Sequence, residues 1–242
     1  MPTIKFQLKN QGFTLVELLL AMVISSIILL ALFVIFQFQQ RHYSNQLEVT
    51  DIQQNIRAAM NIISRDVRMA GFDVDPSTGV AQIINAKNDL FYFTSDINED
   101  GDTDDIGEHI AYDTYIAADG TLTLGRTSSN STITVLQTLG RWEVTNPSHQ
   151  PVAQNIENLE FFYLDENGNA TTTENSVRTV IISILARSDL ADPKFSNTQT
   201  YNPASNLAYY NTGTLSGRSW VKNDNYRRRM QTLRVECRNI GL

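Results

Sequence analysis

FTLVELLLAMVISSIILLALFVIF, residues 13 to 36, holds a single ionisable side chain, Glu17. At about 1.5 Å per residue the stretch makes a helix of roughly 36 Å, enough to cross a bilayer core of about 30 Å. Lys5 and Lys9 lie upstream with no acidic residue among them. That bias keeps the N-terminus cytoplasmic and sends the rest of the chain outward. The carboxylate is the odd feature, because a charge near the centre of a membrane helix costs roughly 3 kcal/mol on insertion scales. Two readings follow. Glu17 snorkels to the interface, or it meets a positive charge inside an assembly. A free α-amine, with a reference pKa of about 7.7–8.0, is such a charge. A cut just before Phe13 would place one about a helical turn from Glu17.

The residues around that position, Lys9-Asn10-Gln11-Gly12-Phe13-Thr14-Leu15-Val16-Glu17, resemble the type IV prepilin cleavage site. The shared features are a short basic leader, a glycine before the cut, a phenylalanine as new N-terminus, a glutamate at its fifth position and an apolar run. The resemblance implies cleavage between Gly12 and Phe13 by a prepilin peptidase and N-methylation of Phe13. It also implies that Glu17 pairs with the Phe13 amine, its own or a neighbour's, in a helix bundle. An ordinary secretory signal has a shorter apolar region, of about 7–15 residues, and a small-residue exit. Here the run ends in Phe33-Val34-Ile35-Phe36 before Gln37.

No glycine or proline occurs from Phe13 to Ala70. Apolar positions continue at Val49, Ile52, Ile56, Ala59, Ile63, Val67 and Ala70, mostly three or four apart, with Gln53, Gln54, Asn55, Arg57, Asn61 and Arg65 between them. That spacing predicts an amphipathic helix with one face for a core. Arg65 and Arg68 suit its negative end, and Gly71 suits the position just past it. Residues 13–71 therefore read as one long helix, with 13–36 spanning the membrane. A joint within the polar stretch Gln37 to Asn45 is the alternative. The segment Gln54 to Phe72, ending Arg65-Asp66-Val67-Arg68-Met69-Ala70-Gly71-Phe72, is similar to the helix end of PilW-type minor pilins. The J-type pseudopilins of type II secretion share a looser version.

From residue 72 the pattern changes to period two with turn residues between. Strands are expected at Val80–Ile84, Leu90–Thr94, His109–Ile116, Leu122–Arg126, Thr132–Leu136, Glu160–Leu164, Val177–Ala186 and Met230–Arg238. The turns are Ala118-Asp119-Gly120 and Asp165 to Asn169, and Asn155 to Leu159 suggests a short helical turn. Val177–Ala186 is the most apolar and should be central. Strands after one long helix give an α+β fold, a helix on an antiparallel sheet. The resemblance implies the pilin fold, enlarged, with residues 1–12 a removable leader and 72–242 an exported domain. Residues 187 to 226 are polar, with Tyr201, Tyr209, Tyr210 and Trp220, and read as a long loop, either partner-contacting or disordered.

Net charge is −7, which argues against a general nucleic-acid surface. Arg227-Arg228-Arg229 is the local exception, read as a solvated edge, or as meeting acidic neighbours, or DNA if the chain serves a filament for uptake. Cys237 is the one cysteine, so no intrachain disulfide can form. It alternates with Leu233 and Val235 and reads as a buried apolar residue. Asp96-Ile97-Asn98-Glu99-Asp100-Gly101-Asp102-Thr103-Asp104 resembles the start of a calcium loop, with Asp96, Asn98, Asp100, Asp102 and Asp104 as candidate ligands. An EF-hand would carry glutamate at its twelfth position, where this chain has Gly107. The competing reading is a solvated acidic hairpin. His42, His109 and His149 show no metal spacing, and no catalytic motif is present.

The expected function is structural and non-enzymatic: a minor pilin that starts or caps a type IV pilus. Its expected partners are the prepilin peptidase, other minor and major pilins, an inner-membrane assembly platform and a tip adhesin. Its expected place is the bacterial inner membrane, with the C-terminal domain in the periplasm, and then the filament tip. The alternatives are a J-like minor pseudopilin and a membrane-anchored, calcium-dependent binding module.

Overall fold

The computed structural model describes residues 12–75, 77, 79–138, 140–145, 148–207 and 219–240. The leader residues Lys5 and Lys9, and the loop tyrosines Tyr209 and Tyr210, lie outside the described residues. The chain divides into two compact units, 1–47 and 48–242, and the division falls inside helix α1, Leu15–Met69.

In the first unit, the apolar side chains from Phe13 to Phe38 are all about half or more exposed. Residues 15–47 are helical throughout, so no joint interrupts 37 to 45. A helix apolar on all sides suits lipid or a bundle of like helices rather than water. It is the helix long and apolar enough to cross a membrane among the described residues.

In the second unit the rest of α1 buries Ile52, Ile56, Ala59, Met60, Ile63 and Val67, the face the spacing predicts. The helix ends where Gly71 adopts φ +71°. A side chain there would also collide with Ile240, since an added Cβ would lie 2.0 Å from its Cδ1. The Gly71 N–H leaves the helix to donate to the Thr94 carbonyl at 2.9 Å.

The strands form two principal antiparallel sheets and two short ribbons, rather than the single sheet expected. The first sheet has the order β1 (Ile83–Ala86), β2 (Phe91–Thr94), β3 (His109–Ile116), β4 (Leu122–Ser129), β7 (Gln150–Ala153). The second places β9 (Thr179–Arg187) between β8 (Ile156–Leu164) and β12 (Arg228–Glu236), so the most apolar strand is central to its sheet. The ribbons are β5 (Val135–Thr138) with β6 (Arg141–Val144), and β10 (Thr200–Tyr201) with β11 (Trp220–Val221). One core joins α1 to both principal sheets: Phe91, Phe93, Tyr112 and Leu124 from the first, Phe161, Tyr163, Val180, Ile182 and Ile184 from the second.

Each principal sheet also buries apolar groups on its other face. Tyr92 and Ala111 pack with Ile133 and Val144, and Phe162 and Ile181 pack with Ala204. Coverage on both faces explains why β2 and β9 are apolar almost without alternation.

Two expectations need correction. Asn155 to Leu159 is not a helical turn, because β8 begins at Ile156. Within the stretch 187 to 226, residues 208–218 lie outside the described residues, and those described are not one open loop. The 3-10 turn Ala204–Asn206 lies on the second sheet, where the Ala204 N–H donates to Ser183 Oγ at 3.1 Å. The Ser205 N–H and hydroxyl donate to the buried Glu160 carboxylate at 3.1 and 2.5 Å.

Candidate functional site

Gly12, Phe13 and Thr14 precede the helix as non-helical chain. Thr14 is the N-cap, since its carbonyl accepts from the Leu18 N–H at 3.2 Å. Glu17 sits three residues on and closes a capping box. Its Oε2 accepts from the Thr14 N–H and hydroxyl, both at 2.9 Å, and the Glu17 N–H donates to Thr14 Oγ1 at 3.3 Å. Such a box satisfies amide donors that a helix start leaves without partners. The sequence already held its Thr-x-x-Glu signature beside the cleavage motif. The bond between Gly12 and Phe13 lies outside the helix, Phe13 is 89 % exposed, and a Cβ at Gly12 would meet nothing within 4 Å. Nothing among the described residues therefore demands glycine at that position.

The Arg-Asp-x-Arg segment has a specific task in the core. Asp66 Oδ2 accepts from the Tyr112 hydroxyl and from Arg126 Nε, each at 2.7 Å, tying α1 to β3 and β4. Burial, with Asp66 close by, pushes the Tyr112 phenol far above its ordinary range. At the helix end the Arg68 carbonyl accepts from Asn239 Nδ2 at 3.0 Å.

The acidic loop is held from both ends by buried carboxylates. Asp96 accepts three loop amides: Glu99 at 2.7 Å, Asp100 at 3.2 Å and Gly101 at 3.0 Å. Glu108 accepts Ile97 and Asp105, both at 3.0 Å. Asp96 thus spends its oxygens on the backbone. The carboxylates brought together are Asp100, Asp102 and Asp105, each offering one oxygen within 4.8 Å of the others. These are the residues that could hold a hard cation. Asp105 was absent from the set read in the sequence. The Asn98 amide nitrogen donates to Asp100 at 2.9 Å and Asp105 at 2.6 Å. Asp102 accepts the Asp104 N–H at 3.1 Å, and its carboxylate raises the Asp104 carboxyl above the usual range.

The histidines do not converge on a metal. His109 is buried against Tyr92, its Nδ1 at 2.6 Å from the phenol. That phenol accepts the Ile133 N–H at 3.1 Å. His109 also bonds the Thr103 backbone, and burial lowers its pKa. His149 lies at 2.7 Å from the fully buried Asp113 and stacks on Tyr115. His42 packs edge-on against Phe38 within α1.

Two of the three arginines meet acidic neighbours, the alternative to a solvated edge. The Arg228 side chain is wholly buried, held by Glu157 and by Asp224. Its guanidinium holds the Asp224 carboxyl down at about 2. Arg227 pairs with Asp192 at 2.7 Å and lies over the Phe195 ring. Only Arg229 is exposed. Cys237 is free and buried, as its alternation implied, and burial pushes its thiol up to about 12.

A glycine–phenylalanine bond ahead of a capped helix, a glutamate in its first turn and an apolar helical segment define a membrane-anchored chain of the type IV prepilin class. Residues 7–33 match the prokaryotic N-terminal methylation motif. Residues 45–205 match prepilin peptidase-dependent protein B, and the chain belongs to that family. The PilW type read from residues 54 to 72 is not the family that matches. No curated protein matches the chain. Among solved structures, a type IV-like pilin from Thermus thermophilus is similar at 15% identity with a TM-score of 0.47. The match covers 78% of this chain and 96% of that one.

Proposed function

We propose that this chain is a minor pilin: a structural subunit that waits in the inner membrane with its second unit in the periplasm, then helps to start or cap a type IV pilus. The observation that carries this reading is the capped helix start. The box holds the Glu17 carboxylate beside the residue that becomes the N-terminus once the Gly12–Phe13 bond is cut. A carboxylate already oriented there can exchange the Thr14 N–H for the Phe13 amine, its own or a neighbour's, when the helix moves from lipid into a bundle. The prepilin peptidase would cut and methylate the chain. Other minor and major pilins would pack on the apolar segment, with an assembly platform and a tip adhesin as further partners.

Mass spectrometry of protein from the native envelope tests the reading. A mature chain beginning at N-methylated Phe13 is expected, and an intact leader or a start beyond Gln37 overturns it. Glu17→Ala should then leave processed protein in the membrane but remove it from sheared filaments. If instead that substitution blocks export of other proteins and filaments are unaffected, the chain serves a secretion pseudopilus.

A further inference from the structure

The sheet edges are not treated alike. On the first sheet, β1 is four residues long with a register shift, and β7 carries Pro151 and a register shift. On the second, the outer side of β8 is bonded: Phe161 N–H donates to the Asn88 carbonyl at 2.6 Å, and the Tyr163 carbonyl accepts Thr171 N–H at 3.0 Å. Short, bulged, proline-bearing or covered edges are the usual protections against unwanted pairing. β12 has none of these four; its protection is charge, the exposed Arg229 and Arg234, which leaves it open to a partner of opposite sign. It runs nine residues without glycine, proline or register shift, paired with β9 alone.

Its free groups can be assigned. Cys237 N–H donates to the Arg178 carbonyl, and the Arg227 carbonyl accepts from Ser188. The odd-numbered residues therefore turn their amides toward β9. By strand alternation Met230, Thr232 and Arg234 turn theirs outward. Among the described residues no bond to those outward groups is present. The exposed cations along and just beyond this edge are Arg229, Arg234 and Arg238. None of the three makes an ion pair among the described residues, and Glu236 is the one acid on the strand.

We propose that the outer edge of β12 is a strand-addition site for an extended acidic segment of another protein subunit. Backbone bonds to Met230, Thr232 and Arg234 supply the pairing, and the arginines select the charge. A second copy of this edge is itself cationic, so charge disfavours self-pairing. The inference rests on the sheet and holds whether or not the chain enters a filament.

The test uses the full chain in detergent and a labelled nine-residue peptide alternating valine and glutamate, read by fluorescence anisotropy. Saturable binding that weakens with salt is expected. The lysine counterpart, and a peptide N-methylated along one edge, should not bind. Thr232→Pro removes an outward N–H without touching the β9 ladder, and Arg234→Glu reverses a charge without touching the backbone. Each should weaken binding roughly tenfold or more. Circular dichroism checks that both variants fold, and if the proline variant does not, Arg234→Glu decides alone. No binding of the acidic peptide, equal binding of the N-methylated one, unchanged affinity in the folded variants, or self-association through β12 overturns the proposal.

Discussion

Two residues show how polar groups are used where apolar ones would be cheaper. Glu17 closes its own helix start, so the monomer already gives it hydrogen-bond partners before any assembly. Asp66 sits on the buried face of α1, where leucine would pack, and joins a phenol and a guanidinium from two strands. Removing one partner of such a buried group leaves the others without compensation, at about 3 kcal/mol. Asp66→Ala should therefore lower the unfolding free energy measured in urea by about that amount, and Asp66→Asn by less, because the amide oxygen still accepts from Tyr112. Equal, small losses in both would show the network to be dispensable. Gly12 is the opposite case. Since an added Cβ meets nothing among the described residues, Gly12→Ala should melt at the wild-type temperature yet accumulate as uncleaved precursor, read on an immunoblot.

Among the elements, α1 was legible over its whole length, because period 3.6 and the absence of breakers leave no competing structure. The central strand β9 was legible too, and the hairpin over Asp119-Gly120. β8 was misread at its start for a physical reason. Ile156 pairs with Ala186 and Leu159 with Ile184, with a register shift between Ile156 and Asn158. The bulge inserts one residue, so two core-facing side chains end up three apart, a helical spacing in a strand. The same bulge aims Glu157 at Arg228 and Lys222. That ion pairing, distant in sequence, is why the arginine run looked solvated. The acidic loop was legible as a loop, but which carboxylates face inward depends on the backbone amides they accept.

His109 ties that loop to β3. Its folded pKa lies below the ordinary value of 6.5, so the unfolded chain binds its proton first as pH falls. Stability from the neutral ring is complete above about 6.5 and is lost progressively from there down to the folded-state value. The thermal midpoint should fall between pH 7 and 5, and His109→Gln should flatten that slope. An unchanged slope in the variant would show that the proton goes elsewhere.

At the scale of the whole molecule, each of the two units has its own character. Every apolar side chain from Phe13 to Phe38 is presented outward, whereas the buried core begins at Ile52. The second unit closes its own core: both principal sheets meet the helix face on one side and carry further apolar packing on the other. Residues 48–242 should therefore fold without the apolar segment, as a soluble monomer with one cooperative melt. Starting instead at Arg57 removes Ile52 and Ile56, whose burial contributes about 3–6 kcal/mol together. Against a typical domain stability of about 5–15 kcal/mol, that loss is decisive. The shorter chain should aggregate or melt far lower, while the 48–242 chain keeps the midpoint of the full protein in detergent. Aggregation of both would mean that the helix before Glu48 belongs to the folding unit, and that the apolar surface of residues 13 to 38 is not reserved for lipid and neighbouring helices.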